Sequence, residues 1–333
     1  MDFERVASEL VRSFRGKRSQ MAFSRRLGSR ANVVYTWESG RRFPTAAKAL
    51  WAASRAGIDV RQAVGRFYRT PPEWLASTDV GTKDGVVRLL EDLRGRIPLG
   101  DVAARAGRSR FAVSRWLRGE AEPRLPDFLR LVEATSLRAL DLVATLANPD
   151  DLPSIARTWH ELQAARRAAY ELPWSHAILR ALELEAYRTR ALQEPGFLAL
   201  VLGIERDEET RCLEALERTG QIRREESAFV VTNVQAIDTR HNPDAGRRLK
   251  AFWAKVGLDR LEKNDDGLFS YNLFTVNEVD YERLKALHRS YFRELRSIVA
   301  ASSPAERVVL ANVQLLALDA PQPAQPQRMK RRA

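Results

Sequence analysis

The stretch Ser19–Pro44, SQMAFSRRLGSRANVVYTWESGRRFP, gathers side chains suited to recognising another molecule. Asn32 carries an amide that can bond bidentately to adenine, and Val33 or Thr36 offers a methyl group that can meet the methyl of thymine. Arg30, Ala31 and Tyr35 belong to the same outward set. Gln20, at the start of one expected helix, and Arg41 and Arg42, beyond the end of the next, are placed to hold phosphates on either side. This is binding chemistry. Support for bond-making chemistry is thin: His160, His176, His241 and His288 lie far apart, without metal-ligand spacing, and there is no phosphate-cradling glycine loop. The single cysteine, Cys212, stands among carboxylates rather than the positive charges that activate a thiolate. The expectation is a protein that is not an enzyme and needs no cofactor or metal.

Those side chains need helices to hold them. Phe3, Val6, Leu10, Val11 and Phe14 recur on one helical face, followed by a break at Gly16–Ser19. A helix is predicted from Gln20 to Leu27, a turn at Gly28, and a second helix over Arg30–Ser39, ended by Gly40. Ser24 is small where two helices must cross. Val34 and Trp37, three apart, pin the inner face of the second helix to Phe23 and Leu27, which leaves Ala31, Asn32, Val33, Tyr35 and Thr36 outward. Helices over Thr45–Arg55 and Val60–Tyr68 complete a compact all-α unit over residues 1–72.

Sliding the chain by 79 residues superposes Gly28 on Gly107, Val34 on Val113, Trp37 on Trp116, Gly40 on Gly119, Pro44 on Pro123 and Leu50 on Leu129. A register without gaps across such residues indicates duplication of one helical unit. The second copy, residues 73–150, is set off by the loop Pro71–Gly85. Its outward set is Arg110, Phe111, Ala112 and Arg115, flanked by Arg108 and Arg118. The Ser-Gln start is replaced by Pro98-Leu99, and Glu38 by Leu117, so both contact with a polyanion and a purely structural or dimerising role stay open for this copy.

Ser19-Gln20, Ser24, Gly28, Trp37-Glu38-Ser39-Gly40 and Pro44 together resemble the Xre/Cro family of phage-repressor DNA-binding domains. The resemblance implies that Arg30–Ser39 is a recognition helix in the major groove, that Gln20 contacts backbone phosphate, and that Glu38 is paired with a helix-1 arginine, Arg12 or Arg15. Ser24 departs from the alanine usual there. The expected partner is double-stranded DNA, and the expected function is transcription regulation, with repression favoured because occluding a promoter needs no further contacts.

Charge distribution points the same way. Residues 1–72 hold 15 Lys/Arg against 5 Asp/Glu, residues 73–150 hold 12 of each, and residues 151–319 hold 24 against 26. A folded segment this basic releases counterions when it meets phosphates. No apolar run reaches the roughly 18 residues of a membrane span, and the start of the chain lacks a signal-peptide pattern, so a cytoplasmic, nucleoid-associated protein is expected. A non-catalytic scaffold or an RNA-binding protein using the same basic surface is the alternative.

The whole is expected to be mainly α, with tandem helix-turn-helix domains plus an α+β C-terminal module. A connecting helix, Ser154–Glu171, occupies residues 151–172. Within 173–319, helical patterns run Trp174–Leu192, Gly196–Leu202 and Asp207–Thr219, followed by the alternating stretch Ser227–Val234. Gly203-Ile204 resembles a turn before a recognition helix, and Ser227–Val231 a wing strand, as in a winged helix. Its outward face (Glu208, Glu209, Arg211, Glu214, Glu217) is too acidic for DNA. Helices from Asn242 to about Glu262 and over Glu278–Ala300, with strands at Leu268–Val276 and Arg307–Leu318, close the module. The region from Tyr170 to Leu318, with YNLFTVNEVD at Tyr271–Asp280, loosely resembles an uncharacterised C-terminal domain of regulators in predatory and social bacteria. Tyr281, Leu284, Tyr291, Leu295 and Ile298 make an apolar stripe expected either to close this module's own core or to join two chains as a homodimer. A small-molecule effector is not identifiable. The tail, residues 320–333, has too few apolar residues to pack.

Overall fold

A computed structural model describes residues 1–68, 71–189, 195–226, 228–232 and 242–319. The chain is mainly α, with one two-stranded antiparallel sheet. The expected tail over 320–333, the end of the Trp174–Leu192 helix and parts of Ser227–Val234 lie outside the described residues.

Helix α1 (Phe3–Arg15) starts where the Asp2 carboxylate accepts from Arg5 N–H, and it buries Val6, Leu10, Val11 and Phe14. Four more helices follow: α2 (Gln20–Arg26), α3 (Val33–Glu38), α4 (Ala46–Ala56) and α5 (Val60–Tyr68). Ser19 caps α2 and Thr45 caps α4. After the four-residue α6 (Trp74–Ser77) the pattern recurs as α7 (Lys83–Arg94), α8 (Leu99–Ala106), α9 (Arg110–Leu117), α10 (Leu125–Ser136) and α11 (Ala139–Leu146). At the 79-residue offset read from the sequence, each of α7–α11 falls on its counterpart in α1–α5. The turns match too. Gly28 and Gly107 both take a left-handed backbone, φ +67° and +60°, which a Cβ would oppose. Ser29 N–H donates to Ser24 C=O and Arg108 N–H to Ala103 C=O, so both turns close by the same six-to-one hydrogen bond.

The prolines at 71–72 interrupt the helices, yet the two repeats do not stand apart. Their apolar faces form one continuous buried cluster from Val6 to Ile155. α5 lies on α11, α1 on α10, and α4 on α7. Main chains also meet: Ala46 N–H donates to Pro123 C=O and Leu125 N–H to Pro44 C=O, each at 2.9 Å.

The expected connecting helix is α12 (Ala156–Glu171), and it is firmly attached. Buried Arg166 donates twice from Nη2 to Asp141, at 2.9 Å to each oxygen, and Arg138 of the same cluster donates to Phe67 C=O at 2.6 Å. Ser154 donates from both N–H and Oγ to Glu9.

Beyond α12, the pattern expected to run unbroken from Trp174 divides into α13 (Trp174–Ala181) and α14 (Glu185–Arg188). α15 (Phe197–Leu202), a turn at Gly203 and α16 (Arg206–Arg218) lead into a hairpin of β1 (Ile222–Glu225) and β2 (Ala228–Val231), paired from Ile222↔Val231 to Glu225↔Ala228. α13 packs on α16, giving the helix–turn–helix–wing order of a winged helix. Tyr187 Oη accepts from Phe229 N–H at 3.1 Å, tying the hairpin to the helices.

The chain divides into two compact units, Met1–Phe252 with Ser302–Val308, and Trp253–Ala301 with the remainder. α17 (Pro243–Glu262) and α18 (Glu278–Ala301) are the last helices. The strands expected at Leu268–Val276 and Arg307–Leu318 do not form. Both segments are irregular and largely exposed, with Leu268, Tyr271, Leu273, Val309, Leu316 and Leu318 in water. Apolar alternation signals a surface that needs covering, but a strand also needs a neighbour to bond, and none lies beside either segment among the described residues. No described helix is long and apolar enough to cross a membrane.

Candidate nucleic-acid interface

The residues expected to read and grip come from α2, α3 and the turns on either side. Their framework is a three-residue network inside the unit. Glu38, on the buried side of α3, accepts from Arg15 Nε at 2.6 Å and Nη2 at 3.4 Å, and from Gln20 Nε2 at 2.7 Å. Of the two arginines the resemblance offered, Arg15 is the partner. Gln20 is half-buried, with one amide hydrogen committed to Glu38.

The expected recognition helix is shorter than Arg30–Ser39. It begins at Val33, and Asn32 is its N-cap, accepting from Tyr35 N–H at 3.2 Å. Ser24 sets this boundary. Its buried hydroxyl accepts from Val34 N–H at 3.1 Å and donates to Asn32 Oδ1 at 3.3 Å, so the amide oxygen of Asn32 already holds two bonds. Bidentate reading of adenine by Asn32 needs that oxygen, and its capping position replaces the expected reading role. Arg30 and Ala31 lie in the turn before the helix, exposed. Val33 is half-buried against the core rather than outward, and Thr36, also half-buried, donates from Oγ1 to Val33 C=O at 2.7 Å while keeping its methyl.

What faces water is Tyr35, 42% exposed, with the Arg41 guanidinium over its ring at 5.3 Å. Arg42 is exposed beside it, its N–H donating to Thr36 C=O. Arg25 and Arg30, with Gly28 and Ser29, line a shallow depression at the turn. Arg25 and Met21, both exposed on α2, belong to this surface and were absent from the sequence-level candidates; an outward arginine one turn before Gly28 was the available signal. From residue 17 to 42 the chain holds seven Lys/Arg and one carboxylate, Glu38, which is buried.

In the second repeat Ser109 caps its helix, accepting from Ala112 N–H at 3.2 Å. The equivalent of Ser109 in the first repeat is Arg30, which cannot cap. Consequently α9 starts two positions earlier than α3 and carries Arg110 and Phe111 in its first turn. Phe111 is 69% exposed, with Arg115 over its ring at 5.7 Å. Arg115 and Arg118 also pair with Glu120, at 3.8 and 2.8 Å, and Arg108 with Asp127 at 2.7 Å. Arg110 is exposed. The carboxylate network has no counterpart: Leu117 and Leu99 stand where Glu38 and Gln20 do, and Arg94, the counterpart of Arg15, keeps a buried Nε without a hydrogen-bond partner among the described residues.

Over residues 154–318 the chain is similar to a family described as a domain of unknown function (DUF4423). That span runs from α12 to the last described segment. No curated protein and no solved structure matches the chain. Among the described residues no group of three or more His, Cys, Asp or Glu is arranged to hold a metal ion. In the winged-helix part, α16 carries Asp207, Glu208, Glu214 and Glu217 outside its core side, and buried Glu209 accepts from Ala199 N–H.

Proposed function

We propose that this chain is a non-catalytic, sequence-specific DNA-binding regulator of transcription, a repressor acting in the bacterial cytoplasm at the nucleoid. In this reading Tyr35, the Thr36 methyl and exposed Ala31 in the turn before α3 address base edges in the major groove. Gln20, Arg25, Arg30, Arg41 and Arg42 hold the flanking phosphates. One observation carries the reading: residues 17–42 around α3 present cations to water together with Tyr35, Met21 and small or amide side chains, and their single carboxylate, Glu38, is turned inward. Phosphates attract such a surface, and no exposed carboxylate of this segment opposes them. The resemblance to phage-repressor domains supports the same conclusion.

The test is binding of the full chain to duplex DNA, with RNA of equal length as competitor, over a salt series. Log affinity should fall against log salt with a slope near −0.9 for each phosphate neutralised, and Arg41→Ala with Arg42→Ala should make the slope shallower by about two contacts. A flat salt response, or preference for the RNA, would overturn the reading.

The expected second chain fits the same proposal. In the second unit Leu287, Tyr291 and Ile298 on α18, and Leu268, Tyr271, Leu273 and Val313 in the segments around it, are exposed. Apolar side chains in this density mark a contact surface. A second copy covering it makes the protein a homodimer, so light scattering should give twice the mass of one chain at micromolar concentration, and Leu273→Asp with Tyr291→Asp should return it to one.

A further inference from the structure

The two repeats meet through contacts that come in exchanged pairs. Ala46 donates to Pro123, and the residues 79 positions away from each, Leu125 and Pro44, repeat that bond in the opposite sense at the same 2.9 Å. Between them, Thr45 faces Arg124, again 79 apart. Arg66 donates from Nη2 to the carbonyl of Thr145, its own counterpart. α5 packs on its counterpart α11, while α1 on α10 is answered by α7 on α4. Contacts that map onto themselves when the partners are exchanged define a two-fold interface, usually met between separate subunits. Here it lies within one polypeptide.

The helices that would read DNA stand outside this interface. α3 rests on α1 and α2, and α9 on α7 and α8, each within its own repeat. The local charge of the second reader is also favourable. Although residues 73–150 are neutral in sum, the segment matching 17–42, residues 96–121, holds six Lys/Arg against two Asp/Glu. Phe111, 69% exposed, stands beside Arg110 and Arg115, a combination suited to a thymine methyl and a guanine edge.

We propose that a single chain is a built-in pseudo-dimer that engages one duplex with α3 and α9 together, reading two adjacent half-sites of unlike sequence. The inference rests on the DNA-binding reading above and names its substrate: a bipartite, non-palindromic duplex site. The backbone of a duplex has its own two-fold axes perpendicular to the helix, so two readers related by a two-fold meet both half-sites in equivalent poses, about one helical turn apart. The half-sites differ because the readers do. α3 offers Tyr35 and Thr36, whereas α9 has a longer first turn bearing Arg110 and Phe111.

The experiment is selection of bound duplexes from a random pool by the full chain, followed by hydroxyl-radical footprinting. For each chain bound, two unlike boxes, with centres about 10–10.5 base pairs apart or a whole multiple of that, are expected, protected on one face of the duplex. Inserting about half a turn between them should weaken binding at least ~10-fold, since only one reader can then dock. Arg110→Ala with Phe111→Ala should relax preference at one box only, and Tyr35→Ala at the other. All three positions are exposed, and unchanged thermal melting of the variants shows that the loss is one of reading. A single box, an inverted repeat of one box, or indifference to the α9 variants overturns the pseudo-dimer while leaving DNA binding intact. Recovery of no duplex at all overturns the DNA-binding reading itself.

Discussion

Replacing Glu38 by leucine would copy into the first repeat what the second already has at Leu117. Two short hydrogen bonds to the carboxylate are lost, from Arg15 Nε at 2.6 Å and Gln20 Nε2 at 2.7 Å; the third, at 3.4 Å, is near the limit of a bond. Bonds to a charged group contribute about 1.5–3 kcal/mol each, so roughly 3–6 kcal/mol is at stake. Two effects offset it. The Arg15 side chain is 19% exposed and can turn to water, keeping its bonds to the carbonyls of Gly16 and Arg18. A buried leucine adds about 1.5–3 kcal/mol of apolar stabilisation. The net expectation is a loss of about 1–3 kcal/mol, smaller for Glu38→Gln, read as a lower urea midpoint in tryptophan fluorescence with Trp37 on the same helix. DNA affinity should fall further than stability alone explains, because Gln20 loses the partner that orients it. Conversely, Leu117→Glu with Leu99→Gln supplies Arg94 with the missing acceptor and should be tolerated. An E38L protein as stable as the parent would refute the reasoning: the network would then add nothing beyond well-packed apolar side chains.

Two further outcomes follow from titratable groups. Hydrogen bonds from Arg130, in the other repeat, hold the Glu4 carboxyl below its ordinary value of 4.5. A depressed folded-state pKa stabilises above the unfolded value and loses that contribution as pH falls through the folded one. Glu4→Gln should therefore be less stable than the parent near neutrality and converge with it below about pH 4.5, checked by urea midpoints across pH. Burial, with the neighbouring Glu208 carboxylate, pushes the Cys212 thiol up to about 12. Since the thiolate is the reacting form, alkylation at pH 8 should be about a thousandfold slower in the folded protein than in urea; comparable rates would show that α16 opens freely.

The duplication, the glycine turns and the inner faces of α1 to α5 were legible because they rest on local patterns: apolar residues at helical spacing and a residue that tolerates positive φ. Val34 and Trp37 fall inside as their spacing requires. The start of α3 was not legible. The cap is Asn32, held in place by the Ser24 hydroxyl eight residues earlier, which a reading of Ser24 as merely small cannot anticipate. The segments at 268–276 and 307–318 misled for a related reason. Alternation records which side chains seek cover, whereas strand formation depends on a partner supplied from elsewhere. The reciprocal contact of the repeats was equally hidden, since periodicity locates an apolar face without naming the face it meets.

That contact has a consequence for behaviour on dilution. Subunits joined only by surface contact separate as their concentration falls, and any property that needs the pair then scales with the square of the amount of protein. Here the two repeats are joined, from α5 to α7, by the short peptide through α6, which holds each half at an effective concentration of order millimolar around the other. The pairing therefore does not titrate away in a cell holding few copies. A tether also relaxes a constraint that binds identical subunits, in which every substitution appears twice. In this chain the loss of a carboxylate at Leu117 leaves Glu38 untouched, so one half can keep its framework while the other acquires a different surface.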